Sequence, residues 1–174
     1  NSMLFDPAKD EETYPMAEEF IKTLMGHFRK DKRIAYWDMW NEPPFARPEK
    51  EAIRVMDILS RFVVWARESN VSQPITSSIF WGGESEKFQD NAVNRRRLEV
   101  EGMMDIHNFH DYTSGVSDGA FLKRVIEQLK AMDDRPIVCS ECLNRQNGSG
   151  IERTLSILAR EHVHFYVWGV YAND

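Results

Sequence analysis

Apolar residues recur along this chain in two alternating rhythms, one of period near four and one of short unbroken runs. From 16 to 30, Phe20, Leu24 and Phe28 repeat every four residues, which predicts a helix with those three on its buried face and Pro15 in its first turn. Arg33 to Trp40 is strand-like and stops at Asn41-Glu42-Pro43-Pro44, where two prolines prevent a helix from following directly. A second helix is predicted over 48–69, with Pro48 near its start and Ile53, Met56, Leu59, Val63, Val64 and Trp65 turned inward. Pro74 to Trp81 is the next strand, the polar, glycine-containing stretch 82–91 a loop, and 92–101 a short helix. Met103 to Phe109 is a strand, and Ala120 to Met132 an amphipathic helix with Leu122, Val125, Ile126 and Leu129 inward. A strand at 136–141, a Gly-Ser-Gly loop at 148–150, a helix at 151–161 and a strand at 163–170 complete the order.

Strands separated by helices imply parallel pairing with right-handed crossovers. The pattern therefore predicts an α/β fold with no internal repeat. A closed eight-unit (β/α) barrel needs about 250 residues, so the 174 residues here correspond to a single domain that is part of one.

Composition narrows the choice of partners. A hydrophobic content of 42% suffices for one sizeable core. The formal charge of -6, from 22 basic and 28 acidic residues, argues against nucleic acid as the main partner, which calls for a basic surface. The one basic cluster, Arg95-Arg96-Arg97, is expected to be a solvated helix face. No apolar stretch approaches the roughly 20 residues of a membrane span, and no charged start with a hydrophobic segment marks a signal peptide. Cys139 and Cys142, three apart on a predicted strand, are expected on opposite faces, which disfavours a shared metal or a disulfide.

Two glutamates carry the candidate chemistry. Glu42 in Tyr-Trp-Asp-Met-Trp-Asn-Glu-Pro-Pro (36–44) and Glu141 in Arg-Pro-Ile-Val-Cys-Ser-Glu-Cys (135–142) each close a strand-like run. In a parallel barrel all strands end on the face that carries the chemistry, and two carboxyl groups there are the minimum equipment for cleaving a glycosidic bond. Glu42 alone could simply end a strand. Trp168 and Trp81, at strand ends, are candidate stacking platforms, with burial in the core as the alternative. His107 and His110 point to opposite faces of one strand and no carboxylate completes a familiar ligand set, so no metal is expected there; His162 and His164 read as structural or exposed. Met103 and Met104 read as core filling.

The ordered set Asp31-Lys-Arg33, Trp-Asp-Met-Trp-Asn-Glu-Pro (37–43), Trp-Ala-Arg-Glu (65–68), Ser72-Gln73-Pro74, Asp105, His110-Asp-Tyr112, Arg135-Pro136-Ile137, Ser140-Glu141 and Trp168-Gly169 resembles the C-terminal part of a retaining glycoside hydrolase of clan A, most like the cellulase-like branch related to family 5. The resemblance implies a partial TIM (β/α)8 barrel carrying strands four to eight, with the first three strands absent. It implies Glu42 as general acid/base and Glu141 as nucleophile, with no cofactor and a β-linked oligo- or polysaccharide as substrate. Asn41, on the sugar 2-hydroxyl, His110 and Tyr112, lining the same subsite, and Trp168 as platform are implied as substrate-binding residues. Trp81 is a candidate second platform, and Arg145 is expected either to hydrogen-bond substrate or to order the loop around Gly148-Ser149. One carboxyl must be neutral while the other is ionised. Apolar bulk from Trp37, Trp40 and Phe45 is expected around Glu42, and donors from Tyr112 and an arginine around Glu141. Retention calls for carboxyl groups about 5 Å apart. The family is typically extracellular or periplasmic. An incomplete barrel exposes edge strands at 37–42 and 163–168, so the expected partners include the remainder of a longer chain or a second copy. A non-catalytic carbohydrate-binding or scaffold fragment is the alternative.

Overall fold

The computed structural model describes residues 6–43, 48–79, 90–112, 119–143 and 150–169. The chain forms two compact units, Asn1–Asp105 and Ile106–Asp174. Both are built of parallel strands alternating with helices.

In the first unit a one-turn 3-10 helix, Pro7–Lys9, leads into helix α1, Asp10–Phe28. α1 starts earlier than its apolar spacing suggests, because Asp10, Glu11 and Glu12 place negative charge against the partial positive N-terminus of the helix. Pro15 consequently lies inside the helix. The buried face is also a different one: Ile21 and Met25 are buried and Tyr14 and Ala17 pack beside them, whereas Phe20 is 66% exposed and Leu24 38% exposed. Both stripes repeat at helical spacing, and periodicity alone does not say which one meets the core.

Strand β1, Trp37–Asn41, pairs in parallel with β2, Ile75–Ser78, and helix α2, Glu49–Glu68, runs between them in sequence. Val55, Met56, Ile58, Leu59, Val63, Trp65 and Ala66 of α2 are buried, but Val64 is exposed, its neighbour having taken the inward position. Trp40 stacks on Phe62 at 5.6 Å between ring centroids, Phe62 meets Trp65 at 5.8 Å, and Tyr14 closes the row edge-on to Trp65. Helix α3, Ala92–Glu101, is capped by Asn91, whose side chain accepts from the Asn94 N–H. The arginine cluster on α3 divides: Arg95 pairs with Asp90 and Arg96 with Asp57 and Glu99, while Arg97 is buried and donates to Asn94.

Two motif residues fasten this unit. The Gln73 amide nitrogen donates to the Phe28 and Asp31 carbonyls, and its oxygen accepts from the Trp37 indole, so one buried side chain joins the end of α1 to β1. Asp105 accepts from Arg67 and from the Ile75 N–H, each at 2.7 Å, and fixes the start of β2. Because Met103 and Met104 complete the turn after α3 with bonds back to Val100 and Glu101, the next strand starts later than the apolar run does.

The second unit is a three-stranded parallel sheet in the order β3-β4-β5: His107–Asp111, Ile137–Cys142 and His164–Val167. Helices α4, Ala120–Met132, and α5, Ile151–Arg160, alternate with the strands. Leu122, Val125, Ile126 and Leu129 of α4 are buried as their spacing predicts. Gly119 precedes α4 with φ of +77°, and a Cβ there would meet Ile157. His107 is wholly buried, with Nε2 3.0 Å from Asp133, an arrangement suited to holding the strand in place. Among the described residues β1 pairs only with β2 and β5 only with β4, so both are edge strands. Among the described residues no helix is long and apolar enough to cross a membrane.

Candidate functional site

Both glutamate-bearing strands are bulged just before the glutamate. In β1, Asp38 pairs with Thr76 and Asn41 with Ser78, so three steps on β1 oppose two on β2. In β4, Phe109 pairs with Cys139 and His110 with Glu141, leaving Ser140 with no partner on β3. A bulge inserts a residue, bends the strand and changes the direction in which the next side chain leaves it. Strict alternation therefore fails where the candidate chemistry lies.

In the first unit the bulge lets the consecutive residues Met39 and Trp40 both pack against the core. Trp37 packs there too, so the two tryptophans expected around Glu42 serve the core of α1 and α2. Glu42 follows β1 with φ of +48°, a left-handed conformation unusual for a residue with a Cβ, and is half-buried. Its N–H donates to Ser78 Oγ at 3.4 Å, and Ser78 Oγ also lies 3.4 Å from Asn41 Oδ1. Ser77 donates to the Trp40 carbonyl at 2.7 Å, and Asp38 Oδ1 accepts from the Trp40 and Ser78 N–H groups. The serine pair thus supports the Asn41-Glu42 turn. Sequence reasoning did not single it out; the usable signal is that Ser77-Ser78 ends the strand paired with the one carrying Glu42.

In the second unit Glu141 lies among His110, Tyr112 and Ser140. The Tyr112 hydroxyl donates to Glu141 Oε2, and His110 Nδ1 lies 3.6 Å from the same oxygen. His110 Nε2 contacts Ser140 Oγ at 3.1 Å. Tyr112 meets Trp168 edge-on, with centroids 6.2 Å apart and planes at 88°. Trp168 is 58% exposed, so its ring is not core filling. Among the described residues the Glu141 carboxylate accepts from a phenol and lies beside an imidazole, and no arginine reaches it.

No disulfide joins Cys139 and Cys142, as expected, but with the bulge in β4 their side chains interact and do not simply point to opposite faces. Cys139 and Cys142 are free and buried, and their thiols interact, the Cys139 thiol being pushed up by its hydrogen bond to Cys142 and by burial. Cys139 donates to the Glu141 carbonyl and Cys142 to the Tyr166 carbonyl, so both brace the backbone around Glu141. Leu143, just past β4, has φ of +78°, and its N–H donates to the Asp111 carbonyl.

Of the sequence-predicted site residues, Asn41 and Glu42 lie together in the first unit, and His110, Tyr112, Glu141 and Trp168 together in the second. Trp81 and Arg145, with Phe45, fall outside the described residues.

The sequence matches no protein-family model and no curated protein. Among solved structures it is similar to a β-1,4-mannanase from the common sea hare Aplysia kurodai, with a TM-score of 0.62 and 14% identity. The match covers 95% of this chain and 56% of that one, so the chain spans little more than half that structure. At this identity the likeness is one of fold. It bears out the fold class read from the sequence: α/β, a partial TIM (β/α)8 barrel in which parallel strands alternate with helices.

Proposed function

We propose that the chain is part of the catalytic barrel of a retaining β-glycoside hydrolase. The observation that carries this reading is the setting of Glu141: a carboxylate at a strand end, hydrogen-bonded by Tyr112 and flanked by His110, with the exposed Trp168 ring edge-on to that tyrosine. Glu141 attacks the anomeric carbon while Glu42 protonates the departing oxygen. Glu42 then takes a proton from the water that releases the sugar. The Tyr112 donor orients the nucleophile, and Trp168 receives the C–H face of a sugar ring. Asn41 binds the 2-hydroxyl, with His110, Trp81 and Arg145 as further sugar contacts. Fold similarity to a β-1,4-mannanase favours a β-linked polysaccharide of that kind as substrate. No cofactor takes part in the scheme.

Because the chain spans 56% of the mannanase structure, the remaining barrel units come from the rest of a longer chain or from a second copy. The same fraction favours a second reading, a carbohydrate-binding fragment without turnover. Incubation with aryl β-glycosides and β-1,4-linked oligosaccharides separates the two: hydrolysis with retained anomeric configuration, abolished by Glu141→Gln, supports the enzyme. Saturable binding without turnover supports the fragment.

A further inference from the structure

In a regular strand, consecutive side chains leave opposite faces, so neighbours do not reach the same group. Ser140 and Glu141 do. Ser140 Oγ lies 3.1 Å from Nε2 of His110, and Glu141 Oε2 lies 3.6 Å from Nδ1 of the same ring. The bulge makes this possible: Ser140 is the inserted residue, without a partner on β3, while Glu141 pairs with His110 itself.

The two groups differ in what they offer the imidazole. An ionised carboxylate only accepts hydrogen bonds, whereas a serine hydroxyl donates or accepts. A neutral imidazole carries one proton, on either nitrogen. The arrangement that satisfies every group has the Ser140 hydroxyl donating to Nε2 and the ring proton on Nδ1, facing Glu141. With its side chain 4% exposed, His110 has little water available to substitute for either neighbour.

We propose that Ser140 is a positioning residue that fixes the tautomer of His110, so that Nδ1–H and the Tyr112 hydroxyl both face one oxygen of Glu141. The claim deepens the hydrolase reading and rests on Glu141 as nucleophile. A carboxylate bonded by Tyr112, with the Nδ1–H dipole 3.6 Å away facing the same oxygen, presents its other oxygen in a preferred direction. Without the serine hydroxyl, the Nε2–H tautomer that a free histidine side chain intrinsically prefers regains population, and an Nδ1 lone pair turns toward the carboxylate.

The test is nitrogen-15 NMR of the full chain labelled at histidine, with the His110 resonances assigned by their loss in His110→Gln. At pH 7 the wild type is expected to show a protonated Nδ1 and an unprotonated Nε2. Ser140→Ala is expected to shift population toward protonated Nε2, and Ser140→Thr, which retains the hydroxyl, to restore the wild-type pattern. Turnover of an aryl β-glycoside is expected to follow, with kcat down about tenfold in Ser140→Ala, recovered in Ser140→Thr, and KM little changed. A protonated Nε2 in the wild type overturns the proposal, as does a tautomer unmoved by Ser140→Ala. The wild-type spectrum and Ser140→Thr decide the matter even where Ser140→Ala does not fold. Failure of the hydrolase reading shows separately, as absence of turnover in the wild type while the spectra still report the tautomer.

Discussion

Tyr112 donates its phenol hydrogen to Oε2 of Glu141, joining the residue just past β3 to the penultimate residue of β4. A hydrogen bond to a charged group is worth about 1.5–3 kcal/mol. If that bond orients the nucleophile, Tyr112→Phe lowers kcat on an aryl β-glycoside by about 10- to 100-fold with little change in KM. Steady-state kinetics check this, and a change confined to KM would assign Tyr112 to sugar binding alone.

Glu42 keeps its left-handed backbone at a cost. For a residue with a Cβ the αL conformation costs roughly 1–2 kcal/mol, and glycine adopts it freely. Glu42→Gly is therefore expected to leave the chain at least as stable, by up to about 1 kcal/mol, while removing the proposed proton donor. Denaturant unfolding read beside turnover measures both. A markedly destabilised Glu42→Gly would mean that the side chain contributes more to folding than the strain takes away.

Asp105 accepts from the N–H of Ile75, a wholly buried residue, and from Arg67. Asp105→Ala leaves a buried donor unpaired, and a loss of about 1–3 kcal/mol is expected in denaturant unfolding. Lys50→Ala, on the exposed start of α2, serves as a control with little effect.

Asp133 gives the second unit a pH dependence. Hydrogen bonds from Arg135, and then from His107, hold its carboxyl well below the ordinary value of 3.8. A carboxyl lowered in the folded state stabilises above its unfolded pKa, and that contribution is lost as pH falls below about 4. The side chain is 43% exposed, so the effect is under about 1 kcal/mol. The stability difference between wild type and Arg135→Ala should be present at neutral pH and shrink as pH falls below 4, in thermal melts across that range. A difference that grows on acidification would mean that the Asp133 carboxyl is not stabilised in its ionised form by Arg135.

Much of the fold was legible because burial writes itself into period. The inward stripe of α4, Leu122 through Leu129, follows the helix repeat, and every strand lies within or next to an apolar run. What was not legible has particular causes. α1 carries two apolar stripes of equal spacing, and only packing against α2 selects Ile21 and Met25 over Phe20 and Leu24. The bulges in β1 and β4 leave no mark in hydrophobicity, yet they turn Trp40 into the core, bring the two cysteine thiols together and set Ser140 and Glu141 against one imidazole. The glutamates were visible as residue types at strand ends, whereas Ser77 and Ser78, and the contact of Ser140 with His110, became visible only through strand register.

In the proposed double displacement Glu141 is the nucleophile. The most direct measurement of that role is mass spectrometry of the chain after incubation with a 2-deoxy-2-fluoro-β-glycoside bearing a good leaving group, which slows release of the glycosyl-enzyme. A mass increase of one fluorosugar is expected, located by peptide mapping to Glu141 and absent from Glu141→Gln. Turnover without an adduct, or an adduct on any other residue, would contradict it.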